Sequence, residues 1–384
     1  MYFAMDKKLS LVSITVFLAY VGAFIRVPIV PLYASNLGAD NFEVGLITFG
    51  FMIVAGIMAF PLGFTSDKIG RKKLMLAGLG ISAVSSVLLS YSTNPEEIIL
   101  AYLFGGIGMA SFAPSISSYV GDIAQRMGQS YGWFTAFMQG GMAFGPALGG
   151  FLAGTISFHN TFIISALFFV FSILVVIPLP DRGHRIKGNN FLTSIRELFN
   201  IPLISTSWLA VFTIAFAFGV FMPFFPLYAR DLGIATFFIG LLFGIQSISN
   251  AVGRIPAGYI SDKTGKRDPF IVGGMILFSI LIYMISVSTT FITLAVIVAV
   301  LGLAMGITTT NLSTILAESA PKGIRGLTMS GFNSFLYIGF ASSSLFGGKL
   351  IENLGSYSYG FMLGSIVCLF GGVVYWYATR KIGN

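Results

Sequence analysis

The chain has 384 residues, of which 55% are apolar and only 9% charged, and its mean hydropathy is +0.88. A soluble domain carries about 25% charged residues, so an ordinary soluble enzyme is excluded. The net charge of +8 would raise the question of nucleic acid in a soluble protein, but here its placement between apolar runs gives it another meaning.

Each run is roughly 20 residues long, enough to cross a hydrocarbon core of about 30 Å. The segment 162–177 does not alternate apolar and polar residues, so membrane β-strands of about 10 residues are excluded. The expected fold class is an all-α polytopic membrane protein. In chain order, hydropathy predicts helices over 9–34, 42–62, 74–93, 97–120, 131–155, 160–180, 201–229, 236–260, 269–289, 291–316, 328–350 and 355–379. With the N-terminus inside, Lys7, Lys8, Lys68, Arg71, Lys72, Lys73, Arg126, Arg182, Arg185, Lys187, Arg196, Lys263, Lys266, Arg267, Lys322, Arg325, Arg380 and Lys381 all fall on the cytoplasmic side. Only Arg230 and Lys349 fall at outer joints, with Arg26 and Arg254 inside helices. The positive-inside bias therefore places both termini in the cytoplasm of a multi-pass cell-membrane protein, and the basic surplus needs no nucleic-acid partner.

The first helix is too long for a signal peptide and lacks a small-residue cleavage site, so it is expected to stay as an anchor. The single cysteine, Cys368, forms no intramolecular disulfide or thiolate cluster, and His159 and His184 lie outside the spans. No metal and no cofactor are expected, and a monomer in the lipid bilayer is the expected state.

The polar stretch 181–200 divides the helices six and six, giving an N-terminal bundle over 1–180, a cytoplasmic linker over 181–200 and a C-terminal bundle over 201–384. At an offset of 195, residues 31–73 align with 226–268 without a gap and 16 of the 43 positions are identical. Pro31-Leu32-Tyr33-Ala34 repeats as Pro226-Leu227-Tyr228-Ala229, and Ser66-Asp67-Lys68 with Gly70 repeats as Ser261-Asp262-Lys263 with Gly265. A duplicated six-helix unit in parallel orientation is the usual build of a rocker-type transporter.

The joint Gly63-Phe64-Thr65-Ser66-Asp67-Lys68-Ile69-Gly70-Arg71-Lys72-Lys73 resembles the signature of the major facilitator superfamily between helices 2 and 3. Gly63 admits close helix contact, Gly70 allows a tight turn, and Asp67 can cap the next helix or pair with Arg71. The second copy, Gly258 to Arg267, carries Asp262 and Lys266 at the matching places. The resemblance implies a twelve-helix fold of two pseudo-symmetric bundles and a cytoplasmic latch in which Asp122 and Glu318 are the acidic partners. Arg254, four residues before Gly258, is expected to join it. A solvated turn with basic lipid anchors is the plainer alternative.

Helix 5 carries Gly132, Gly141, Gly145-Pro146 and Gly149-Gly150, matching the family's antiporter signature. Gly141, Gly145 and Gly149 form one stripe for close helix approach, and Pro146 bends the helix beside it. By resemblance to the drug/proton antiporters of multidrug efflux, this seam closes against the other bundle. Pro28 and Pro31 near the end of helix 1 look like another efflux feature, or mark a helix end. Many proton-coupled members have an Arg where this chain has Tyr102.

No carboxylate falls at a midplane position. Glu43, Asp67 and Asp122 are left as candidates for coupling to a proton, although the first turn of a helix also explains Glu43. Arg26, costly to bury, could receive an anionic substrate, snorkel, or pair with Glu43. Its repeat partner is Phe221. The helices that line the family's cavity hold Gln139, Gln246, Asn250, Asn311, Asn333 and Tyr337 among Tyr20, Phe24, Met138, Phe216 and Phe221, with Phe134 nearby. An apolar pocket with few neutral hydrogen-bonding groups suits amphipathic molecules, although phenylalanine also faces lipid. The expected function is alternating-access export of small amphipathic compounds by proton antiport. Exchange or uptake of a small organic anion, and a membrane-embedded enzyme or receptor, are the alternatives, and the enzyme lacks a membrane histidine or midplane acid to work with.

Overall fold

The computed structural model describes residues 6–124, 127–181, 196–320 and 325–383, apart from the side chains at 59–60, 63–68, 127–128, 325–326 and 382–383. Twelve long helices run through these residues. They are α1 Lys7–Asn36, α2 Asn41–Ile69, α3 Arg71–Tyr91, α4 Pro95–Ile123, α5 Met127–Thr155 and α6 Phe158–Val176, followed by α7 Pro202–Asp231, α8 Thr236–Thr264, α9 Asp268–Val287, α10 Phe291–Ser319, α11 Arg325–Leu354 and α12 Tyr357–Gly383. Ten of them are long and apolar enough to cross a membrane; α5 and α11, rich in glycine and small polar residues, are not among these ten.

Helix ends follow from local chemistry. Asn94 caps α4 by accepting the Glu97 N–H at 2.9 Å, and Glu97 Oε2 accepts the Thr93 N–H at 2.7 Å. At α2, Asp40 Oδ1 accepts the Glu43 N–H at 2.7 Å while Glu43 Oε2 accepts the Asp40 N–H at 3.0 Å, a reciprocal capping box. Helix α1 continues through Pro28 and Pro31 to Asn36, so the two prolines do not mark its end. The turn after α1 uses Gly38 at φ +92°, and its repeat after α7 uses Gly233 at φ +81°, a region that favours glycine.

The chain forms two compact units, one of Met1–Ala39, Gly50–Ile186 and Gly233–Gly244, the other of Asp40–Phe49, Lys187–Leu232 and Ile245–Asn384. The first ten residues of α2's segment thus pack in the second unit, and the start of α8 packs in the first. In the first unit Tyr33 Oη donates to Ser92 O at 2.5 Å, and in the second the repeat-related Tyr228 Oη donates to Ser288 O at 2.8 Å. Each bond ties the first helix of a repeat to the end of its third.

Helices approach through glycine. A Cβ at Gly141 would lie 2.7 Å from Phe17 O, at Gly145 2.9 Å from Val21 O, and at Gly149 2.5 Å from Ile25 O. Gly141, Gly145 and Gly149 therefore face α1 of their own unit, which corrects, for these three residues, the expectation that the seam closes against the other bundle. The adjacent face of α5 meets the start of α8, where a Cβ at Gly150 would come within 2.6 Å of Thr236 O and one at Gly244 within 3.1 Å of Ala143 O. In the second unit, Gly339 on α11 meets Phe212 O of α7 at 2.6 Å by the same measure.

Gly132 differs from the rest of the signature, since a Cβ there meets nothing within 4 Å. Gly132→Ala should raise stability by about 0.5–1 kcal/mol through helix propensity, whereas Gly145→Ala should lower it because Phe24 Cβ and the α1 backbone stand in the way. Thermal unfolding of the two purified variants checks the contrast, and a stabilised Gly145→Ala would show that the α1–α5 contact is looser than described.

Candidate functional site

Two charged clusters sit where the repeat signatures end. In the first unit Arg71 Nε lies 3.0 Å from Asp122 Oδ2, with side chains only 8% and 14% exposed. Gly70, at φ +113°, lets the chain turn there, and a Cβ would run into the Asp181 carboxylate at 2.6 Å. Asp181 Oδ1 accepts the Lys72 N–H at 3.3 Å, and Lys72 Nζ donates to Ile177 O at 2.6 Å, which joins the α3 start to the end of α6. Sequence reasoning placed Asp181 on this side but gave it no role. Gly63 and Asp67 fall in 63–68, whose side chains lie outside the described residues.

In the second unit the base is Arg267. Its Nη2 lies 2.6 Å from Asp262 Oδ1 and 2.8 Å from Glu318 Oε1, its Nε donates to Glu318 Oε2 at 3.1 Å, and its Nη1 to Ser261 Oγ at 3.0 Å. Glu318 first, and Asp262 with it, hold the guanidinium above its ordinary value. Lys266 was the expected base, but the forked geometry needed by two carboxylates is arginine's, and Arg267 is one residue further on. Arg254 does not join these acids among the described residues; its Nε donates to Asn250 Oδ1 at 2.9 Å, one turn away on α8.

Arg26 is enclosed in the first unit, 1% exposed, with Nη1 donating to Ser85 Oγ of α3 at 3.2 Å. Its guanidinium lies 5.1 Å from the Phe169 ring centroid and 5.8 Å from that of Tyr102, which stacks on Phe51 at 4.6 Å. Where the resemblance leads one to look for an arginine on α4, a guanidinium thus reaches the α4 tyrosine from α1. Glu43 is engaged in its capping box and is not Arg26's partner.

Among the pocket candidates, Tyr20 and Phe24 stack at 6.0 Å and are half-buried beside Met138, and Gln139 is buried. Gln246 and Asn250 are buried one turn apart on α8 against α10, where a Cβ at Gly302 or Gly306 would strike their backbone. Asn311 is fully buried and its Nδ2 donates to Ile307 O at 2.9 Å. Asn333 is exposed, with Tyr337 half-buried one turn on. Phe216 is buried, and Phe221 is 0% exposed in a stack with Phe225 at 4.5 Å and Phe218 at 5.3 Å. Phe221 is therefore core rather than lining, because it packs the interior of its own unit.

The profile of the Major Facilitator Superfamily matches residues 12–218 and 207–383, and the chain belongs to that superfamily. It is a multi-pass membrane transporter, not an enzyme. An uncharacterised MFS-type transporter of Methanocaldococcus jannaschii is 25% identical over 361 residues, 91% of this chain and 93% of that protein. The quinolone resistance protein NorA of Staphylococcus aureus is 26% identical over 238 residues, 59% of this chain and 60% of that protein. Among solved structures, a point mutant of the nucleoside transporter NupG superposes with a TM-score of 0.82 at 15% identity, over 98% of this chain and 100% of that one. A bacterial homologue of the human lysosomal transporter Spinster gives 0.79 at 14% identity, over 97% and 96%. These two likenesses concern the fold alone.

The two ion pairs differ in burial, and so should their worth. Asp122→Asn should cost about 1–3 kcal/mol, since it leaves a mostly buried guanidinium facing a neutral group. Glu318, 55% exposed, should cost less than about 1 kcal/mol as Glu318→Gln. Unfolding in detergent measures both, and equal losses would contradict the difference in burial.

Proposed function

We propose that this transporter exports small amphipathic compounds by alternating access, in exchange for protons. The observation that carries the reading is the complete antiporter-type signature of α5, Gly132 to Gly150, in a chain related to a quinolone resistance protein. The distribution of Lys and Arg supports an orientation with both termini in the cytoplasm, and the repeats over 1–180 and 201–384, joined by 181–200, are the moving halves of a monomer. Substrate contacts are sought at Tyr20, Phe24, Met138, Gln139, Phe216, Gln246, Asn250, Asn311, Asn333 and Tyr337, which combine apolar surface with neutral hydrogen-bonding groups.

The Arg71–Asp122 and Arg267–Asp262–Glu318 clusters act as latches in this scheme. Arg71→Ala and Arg267→Ala should slow transport at least severalfold while leaving substrate affinity within about twofold. A variant that loses binding but cycles normally would remove the latch assignment. The proton is sought on Glu43, Asp67 or Asp122, because no carboxylate of the sequence falls at mid-span. Exchange of a small organic anion at Arg26 has less support, since two aromatic rings and four helices enclose the guanidinium.

The reading is tested in proteoliposomes. An imposed pH gradient should drive accumulation of a fluorescent lipophilic cation, and Glu43→Gln or Asp122→Asn should reduce accumulation more than equilibration. Equal transport with and without the gradient, at clamped membrane potential, would mean a facilitator and rule out antiport.

A further inference from the structure

The first unit holds a full positive charge in the membrane interior where the second holds a phenyl ring. Arg26 lies on α1 with about a third of the helix beyond it, and Phe221 occupies the same place in the repeat, 0% exposed. A guanidinium cannot shed its proton in a protein, so burial cannot neutralise it as it would a lysine or a carboxylate. Among the described residues no carboxylate pairs with Arg26, and its Nε has no hydrogen-bond partner. What it has instead is Ser85 Oγ, itself donating to Ala101 O at 2.7 Å, and the faces of Phe169 and Tyr102. Gly105 leaves the room: a Cβ there would come within 3.2 Å of Nη1.

An enclosure by rings and helices stabilises a charge without offering it to a ligand. The remaining agent that acts on a buried charge is the electric field across the bilayer. That field falls across whichever layer of the protein is closed to water. A group fixed in a helix therefore changes its electrical position when a transporter opens first to one side and then to the other, even if it moves little itself.

We propose that Arg26 makes the equilibrium between the two open states depend on membrane potential, with the cation favouring the state open toward the negative side. The inference rests on the alternating-access cycle proposed above. One elementary charge through the whole of 100 mV changes an equilibrium about 50-fold, and a third to a half of the field changes it about four- to sevenfold. Arg254, hydrogen-bonded to Asn250 and half-buried, contributes equally in wild type and in Arg26 variants and so cancels in their comparison.

The experiment places the full-length protein, labelled with an environment-sensitive fluorophore on an introduced surface cysteine, in proteoliposomes. Potassium diffusion potentials set the voltage and no substrate is added. Per 100 mV, wild type should shift its state distribution about four- to sevenfold more than Arg26→Met and Arg26→Gln do. Arg26→Gln retains a donor for Ser85, which guards against a folding defect in Arg26→Met. A voltage response unchanged by both neutral variants overturns the inference, as does a wild type that switches with pH or ligand but not with voltage. A protein that switches under no condition instead overturns the transport cycle itself.

Discussion

Inside a bilayer the apolar surface of one helix gains little by leaving lipid for another helix, so packing must be won by shape. This constraint governs the whole molecule. Glycine on α5 admits the α1 backbone, glycine on α11 admits that of α7, and Gly302 and Gly306 on α10 admit α8. The closeness of such contacts is also what lowers the hydropathy of α5 and α11 below that of their neighbours: residues chosen for small size are not residues chosen for oil.

Duplication sets the second level of order. Tyr33 and Tyr228 make the same hydrogen bond in their own units, and Gly38 and Gly233, like Gly70 and Gly265, make the same turns at positive φ. The charged clusters follow the repeat less strictly. Arg71 meets Asp122, while Arg267 meets Glu318, so both members of the second pair stand one residue further along than an offset of 195 predicts. A pair can drift in this way because a salt bridge depends on where two side-chain ends meet and not on which Cα carries them.

The helices, their number and the internal repeat were legible because each is written in many residues at once, through hydropathy and identity at a fixed offset. The individual contacts were less so. The stripe on α5 announces a close approach but cannot name the helix that approaches, and it turned out to face α1. Lys266 and Arg267 are adjacent bases, and only the fork geometry around Asp262 and Glu318 distinguishes them. Phe221 reads as pocket lining in a chain with 39 phenylalanines, since an aromatic stack inside a bundle has no signature separate from one at a cavity. Asp181 was missed for a related reason: its value comes from the tertiary meeting of α6's end with Gly70.

The departure from symmetry at Arg26 and Phe221 is the feature that packing and duplication leave unexplained. A phenyl ring at both positions would be the cheaper solution, since an arginine near a helix centre costs about 2.5–3.5 kcal/mol on the insertion scale. One hydrogen bond to Ser85 and two cation–π contacts of about 0.5–2 kcal/mol each roughly offset that cost, leaving no surplus of stability for which the charge would be kept. The second unit shows that the fold itself does not need the charge, because the stack of Phe218, Phe221 and Phe225 fills the equivalent space. A duplicated scaffold that is charged in one half and neutral in the other responds unequally to an electric field, and that inequality is a property neither repeat could have alone.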